Sequence, residues 1–317
     1  MICNCTSKQE IIDESLLKCE NEEEQCVLTE QNYLFGDALM TTRFKSLDDL
    51  KKIVTFNYYD ESTPFKNDTN AYSKVVLSYC HNEFKLNSIL ESGVDQGDIL
   101  KAQRGDLLDK IALVFNSPYT IYHHEELEQI FLLARRRNDL FGAGDAAFYD
   151  LAKVMVHNII EIDSNNALKT DTTSKGYINT FNHITAQALI TSIFSEEMAD
   201  YIADLHERHH LPELTTGKFT SDQLNDFKNS PLDNYVDMIN NEWGQELGKF
   251  LKKKYNITLD TKWTNQLLAN YLNDLQEYFS NCLHVKMKKI KGKESEIERF
   301  IYKIEPILKG QYSTEKL

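Results

Sequence analysis

The chain has 317 residues, 41% of them hydrophobic and 26% charged, with a formal charge of −14. That length suits one large domain or two ordinary ones, and the composition is too apolar for a disordered chain. Binding to nucleic acid rests on phosphate neutralisation by Lys and Arg, so the acidic balance argues against a nucleic-acid-binding module, though not against a nuclease with a local basic site. Five prolines and twelve glycines leave long stretches without breakers, which favours helices. No stretch reaches the roughly 20 apolar residues of a transmembrane helix. No cationic segment followed by an apolar one opens the chain, so no signal peptide is visible. Synthesis in the cytoplasm is expected, with any export through a specialised secretion system or a carrier. "MICNC" places Cys3 and Cys5 at the front, but the apolar segment that precedes a lipoprotein cysteine is missing. Cys3, Cys5, Cys19, Cys26, Cys80 and Cys282 are expected as free thiols, because a chain this long needs no disulfide scaffold.

Residues 1–30 are acidic ("KCENEEEQC") and read as a flexible arm. Residues 31–118 give a mixed or helical N-terminal region whose role is open. "SLDDLKKIV" has helical spacing with Ser46 as N-cap, "YDESTPFKNDTN" is a loop by its turn residues, and "AYSKVVLSYC" fits a short strand or part of a helix. Residues 119–317 form the third part, an all-helical domain. "EELEQIFLLARRRNDLF" is a helix stopped by Gly142 and Gly144, which lack the strand and spacing of a dinucleotide loop. "DAAFYDLAKVMVHNIIEI" and "GYINTFNHITAQALITSIF" follow as helices. Ser195 caps "EEMADYIADLHERHH", which Pro212 limits. Thr220 with Gln223 forms a capping box, and Ser230-Pro231 opens a helix that can end at Asn256. "TNQLLANYLNDLQEYFSNCLHVKMKKI" is a long amphipathic helix with Leu268, Leu272, Leu275, Phe279, Cys282 and Leu283 on one face, and a last helix covers 294–309. The fold class is mainly α, with a helical bundle-like C-terminal domain.

Three polar clusters interrupt helices that also carry apolar stripes: Asn179 with His183; His206, Glu207 and His210; and Asp237 with Asn240, Asn241 and Gly244. If the helices pack side by side, these groups can converge and satisfy one another. Glu207 in a dry pocket would act as general acid or base, and His183 or His206 would carry protons. Asp237 would orient a histidine, and Asn241 would hold substrate or an oxyanion. Asn179 and Asn240 would contact substrate, and Gly244 would admit a ligand or a backbone. The bland readings are an ordinary His183 on an amphipathic helix, a solvated "HERHH" helix end, an exposed polar face at Asp237, Asn240 and Asn241, and a solvated basic face at "ARRR".

Residues 206–210 also spell H-E-x-x-H, which on a helix places two zinc-binding imidazoles, His206 and His210, beside a glutamate base. "NEWGQE" downstream offers Glu242 as a third ligand. The charged Arg208, the early Pro212 and the extra His209 all weaken the match.

The order Asn179-x-Phe181-x-His183, Asp204-Leu205-His206-Glu207, Asp237-x-x-Asn240-Asn241-x-x-Gly244 resembles an all-α family of domains of unknown function. That family occurs in Bacteroidetes secreted or lipoprotein-like proteins and at the C-termini of polymorphic toxins. Its usual pattern is N-A-F-R-H-A, then A-H-E, then M-D-L-H-N-N-x-x-G. The resemblance spans about residues 175–250. Asn182 stands where the pattern has Arg, and Ile239 where it has His, which weakens a metal-centred mechanism. His210 is not part of the pattern. The resemblance implies a site and a context of bacterial secretion or toxicity, without implying a reaction.

The leading expectation is an effector-like or toxin-like bacterial hydrolase using His183, His206, Glu207, Asp237 and Asn241, with a secretion machine or a cognate immunity protein as partner. The alternative is a non-catalytic acidic helical binding protein, an adaptor or an immunity-type partner of a basic toxin. The third is a zinc metallopeptidase, with zinc, as the foremost divalent metal, on His206 and His210.

Overall fold

The computed structural model describes residues 26–28, 33–60, 73–81, 84–163 and 168–311. In chain order these form β1 (Cys26–Leu28), β2 (Tyr33–Phe35), α1 (Leu47–Leu50), β3 (Val54–Asp60), β4 (Ser73–His81), β5 (Phe84–Leu90), α2 (Gln96–Arg104), α3 (Leu107–Asn116), α4 (Pro118–Tyr122) and α5 (His124–Ala134). There follow α6 (Asn138–Phe141), α7 (Phe148–His157), β6 (Ile159–Ile162), α8 (Tyr177–Ile193), α9 (Glu196–His210), α10 (Ser221–Asn225), α11 (Pro231–Lys254), α12 (Asn265–Cys282), β7 (Val285–Met287) and α13 (Ser295–Leu308). The protein is mainly α, as its composition and periodicity imply. Most of the acidic arm, and the loop expected from "YDESTPFKNDTN", lie outside the described residues.

The start signals read from the sequence cap real helices. Ser46, Ser195 and Ser230 accept from the backbone N–H groups of Asp49, Met198 and Asp233, and Thr220 with Gln223 forms its capping box. Asn256, with φ +50°, ends the long α11 in the left-handed conformation that asparagine tolerates. Tertiary contacts override periodicity at three places. After Ala134 the expected helix breaks, because the Lys303 ammonium takes the carbonyls of Leu132 and Arg135. After His157 and Cys282 the expected helices give way to β6 and β7, which pair antiparallel with each other. Their β-branched Ile159, Ile162 and Val285 suit a strand.

The helical trio α8, α9 and α11 forms the centre. Gly244 and Gly248 let α11 lie close on α8: a Cβ at those positions would sit 2.7 Å from the Ile184 carbonyl and 2.6 Å from that of Ala188. Phe181 stacks on Phe279 at 3.8 Å, joining α8 to α12. The antiparallel meander β3-β4-β5 covers α11 through Phe56 on Tyr235 and Tyr79 on Trp243. One continuous core runs from Phe35 and Leu90 to Phe300 and Ile307. A second, smaller cluster joins Val94, Ala102 and Leu113 to Leu205. The segment before α1 is laid over the trio as a strap, with Leu39 and Met40 buried.

Cys80 on β4 and Cys282 at the end of α12 each take part in a disulfide bond, which corrects the expectation of free thiols at these positions. Chain length says only that a disulfide is unnecessary; which cysteines meet is decided by the fold. No described helix is long and apolar enough to cross a membrane.

Candidate active site

Two polar stripes face each other across the α8–α11 contact. Lys175, just before α8, then Asn179 and His183 step by four; so do Asp233, Asp237 and Asn241 on α11. A step of four keeps side chains on one helical face, so the stripes meet rung by rung. At the first rung, Lys175 pairs with Asp233, which also accepts from the Thr41 hydroxyl at 2.7 Å. At the second, the Asn179 amide donates to Asp237 Oδ1 at 2.8 Å. At the third, His183 Nδ1 lies 3.0 Å from Asn241 Oδ1, and its Nε2 lies 3.3 Å from Asp237 Oδ2.

Glu207 enters this ladder from α9. Its carboxyl hydrogen-bonds to the Asn241 side chain, while its Oε1 is buried without a partner. Asn241 therefore sits between the acid and the imidazole. With its amide nitrogen turned to Glu207, its carbonyl accepts from His183 Nδ1–H. That fixes the tautomer and leaves Nε2 facing Asp237.

The electrostatics follow from burial. Desolvation, with the nearby charges of Asp233 and Asp204, pushes Glu207 up to about 8, against the Asn241 hydrogen bond. Burial, then Asp233 and Glu207, also holds Asp237 well above the usual carboxylate range, against Lys175 and Asn179. Burial pushes the His183 ring below its ordinary value, opposed by the Asn241 hydrogen bond and the Asp233 charge. The site is thus an excess of carboxyl groups in a dry place, which favours the protonated form of Glu207 at neutral pH. The side chain of His183 keeps 14% exposure, which gives the network an edge toward solvent.

The expected residues divide into two sets. His183, Glu207, Asp237, Asn241 and Asn179 are brought together. His206 stands at the rim, exposed, with its ring 6.4 Å from that of His183. Asn240 and Gly244 are not placed for substrate. The Asn240 amide is fully enclosed and spent on the strap, accepting from Leu39 N at 2.9 Å and donating to Leu39 O at 2.8 Å. Gly244 admits the backbone of α8 and not a ligand. Asp233, Lys175 and Thr41 were missed. The repeat of four from Asp233 to Asn241 was the signal for Asp233, whereas Thr41 joins from 192 residues away and left no trace in the local sequence.

The H-E-x-x-H pair is present as two exposed imidazoles with ring centres 4.1 Å apart. His210 Nδ1 is engaged with the His206 carbonyl at 3.0 Å. Glu242 turns to Ser88 and toward Asp200 and Asp204 instead. Among the described residues no three His, Cys, Asp or Glu side chains are arranged to hold a metal ion. Arg208 is buried, held by the carbonyls of Val94 and Glu91 and by Asp204. The "ARRR" stretch is largely tied down: Arg136 pairs with Asp150 and Arg137 with Asp139.

No curated protein and no solved structure matches the chain. Residues 152–275, from within α7 to within α12, match DUF6973, a domain of unknown function, and that span contains Glu207 and every rung of the ladder.

Proposed function

We propose that the α8–α9–α11 ladder is the acid–base site of a hydrolase. The observation that carries this reading is Glu207: a buried carboxyl pushed up to about 8, joined through one asparagine to a histidine that contacts a second buried carboxyl, Asp237, itself held well above the usual range. A protonated carboxyl is a general acid, and a neutral imidazole beside a carboxyl is a base. Water entering at the His183 edge gives a proton to the Asp237–His183 pair as its oxygen bonds to the carbon or phosphorus of the scissile bond. Asp237 passes its own proton to His183 Nε2 and takes the one from water. Glu207 donates its proton to the leaving group as the bond breaks. Return of the proton from the pair to Glu207 resets the site.

The protein is further read as an exported, effector-like enzyme. The bonded state of Cys80 and Cys282 supports this, since disulfides persist in oxidising compartments. The test is a hydrolytic screen over ester, amide, glycosidic and phosphodiester substrates. Wild type is set against Glu207→Gln and His183→Ala, with folding checked by circular dichroism. Activity in wild type that both folded variants lose supports the proposal; activity retained by either variant refutes it.

A second reading, a binding role without catalysis, has one observation in its favour. The outer face of α3 leaves Leu107, Leu108 and Phe115 70%, 71% and 80% exposed. Apolar side chains so open to water mark a surface that a partner covers.

A further inference from the structure

An amphipathic surface helix normally turns its wider apolar stripe inward. Helix α3 does the opposite. Of its apolar side chains only Leu113 is buried, in the small cluster with Val94, Ala102 and Leu205. Leu107, Leu108, Ile111, Val114 and Phe115 face water, with exposures that run from 41% at Ile111 to 80% at Phe115. At about 3.6 residues per turn these five fall within about a third of the helix circumference, so they form one stripe.

The stripe is symmetric about its centre. Leu107, Ile111 and Phe115 step by four and make a single ridge, while Leu108 and Val114 stand three residues to either side of Ile111. Reversing the helix about Ile111 puts Leu107 on the position of Phe115 and Leu108 on that of Val114, so the pattern maps onto itself. A two-fold axis imposes that same reversal, because each residue i that meets j must find j meeting i.

Charge and area select the same occupant. Residues 96–116 carry Asp98, Asp106 and Asp109 against Lys101, Arg104 and Lys110, so this hairpin is neutral in a chain of formal charge −14. Lys101 and Asp109 pair with each other at 3.1 Å. A like copy is therefore not repelled here, and neither a basic protein nor an anionic lipid surface is drawn here by charge. The exposed part of the five residues is on the order of 500 Å² per copy, so pairing two copies removes about 1,000 Å² from water, the level a specific interface has to reach.

We infer that α3 packs antiparallel on α3 of a second copy, with Ile111 on the two-fold axis, Leu107 against the partner's Phe115 and Leu108 against the partner's Val114. The inference does not rest on the acid–base ladder.

Sedimentation velocity of the full chain from about 0.5 to 100 µM tests it. The expected result is a reversible monomer–dimer equilibrium with a micromolar dissociation constant. Ile111→Lys sets two ammonium groups against each other on the axis and should weaken association at least tenfold. Leu107→Lys and Phe115→Glu should each do the same alone. An equimolar mixture of those two variants should associate again, because the antiparallel register sets the introduced ammonium against the introduced carboxylate. All three positions face water, so the variants should stay folded by circular dichroism. In unfolding at concentrations below the dissociation constant they should match the wild type. A chain that stays single throughout the range overturns the inference. So does a dimer that Ile111→Lys leaves intact, and a mixture that stays dissociated overturns the antiparallel register. A chain single in solution that sediments with phosphatidylcholine vesicles, and loses this in Ile111→Lys, gives the stripe to a lipid surface and also overturns the inference.

Discussion

Asn240 and Asn241 are neighbours on one buried helix and do opposite things. Asn240 uses its carbonyl and amide on the backbone of Leu39, so a long-range strap is fastened with nothing left over. Asn241 stands between His183 and Glu207, where carboxyl groups outnumber cations and one carboxyl oxygen has no partner. A polar group recruited for stability ends satisfied. A cluster that stays short of partners, with protons held on acids, costs stability and is kept where chemistry uses it.

Substitutions can break this contrast. The largest expected effect is on catalysis: Glu207→Gln keeps the shape but removes the acid, and should lower hydrolysis on the order of 10²–10⁴-fold. Its melting temperature below about pH 4, where Glu207 is protonated in the folded and the unfolded chain alike, should change little. Asn240→Ala should do the reverse. It strands the buried N–H of Leu39, whose C=O keeps the Thr180 hydroxyl, at about 1–3 kcal/mol. Denaturant unfolding should report that loss, with activity per folded molecule nearly unchanged. Gly244→Ala forces a methyl against the Ile184 carbonyl and should cost about 1–3 kcal/mol by the same measurement. The smallest effect belongs to the surface: Phe115→Ser, 80% exposed, should leave stability within about 0.5 kcal/mol and hydrolysis intact. A loss of partner binding in that variant would favour the second reading.

Much of the helical frame was legible because caps and apolar stripes act locally. Ser195, Ser230 and the Thr220–Gln223 box start helices by bonds within one turn. What was misread depends on distant partners. Lys303 breaks the helix after Ala134 from 171 residues away, and β6 is a strand only because β7 lies beside it. The site shows the same division. His183, Glu207, Asp237 and Asn241 were legible as polar residues on otherwise apolar faces. Sequence alone could not separate Asn240 from Asn241, because the strap that claims Asn240 comes from residue 39.

The central claim is that Glu207 holds its proton through neutral pH. The direct measurement is a carbon-13 NMR titration of the Glu207 carboxyl, joined to unfolding free energies of wild type and Glu207→Gln from pH 5 to 9. A folded value of about 8 lies above the ordinary 4.5, so the folded chain binds more protons than the unfolded one between them. The stability that Glu207 contributes at low pH is then lost as pH rises through 8, and the Gln variant should lack that part of the slope. A midpoint near 8, with wild type losing stability relative to the variant as pH rises, is the predicted result. A carboxyl titrating near its ordinary value, with parallel stability profiles, would contradict the account.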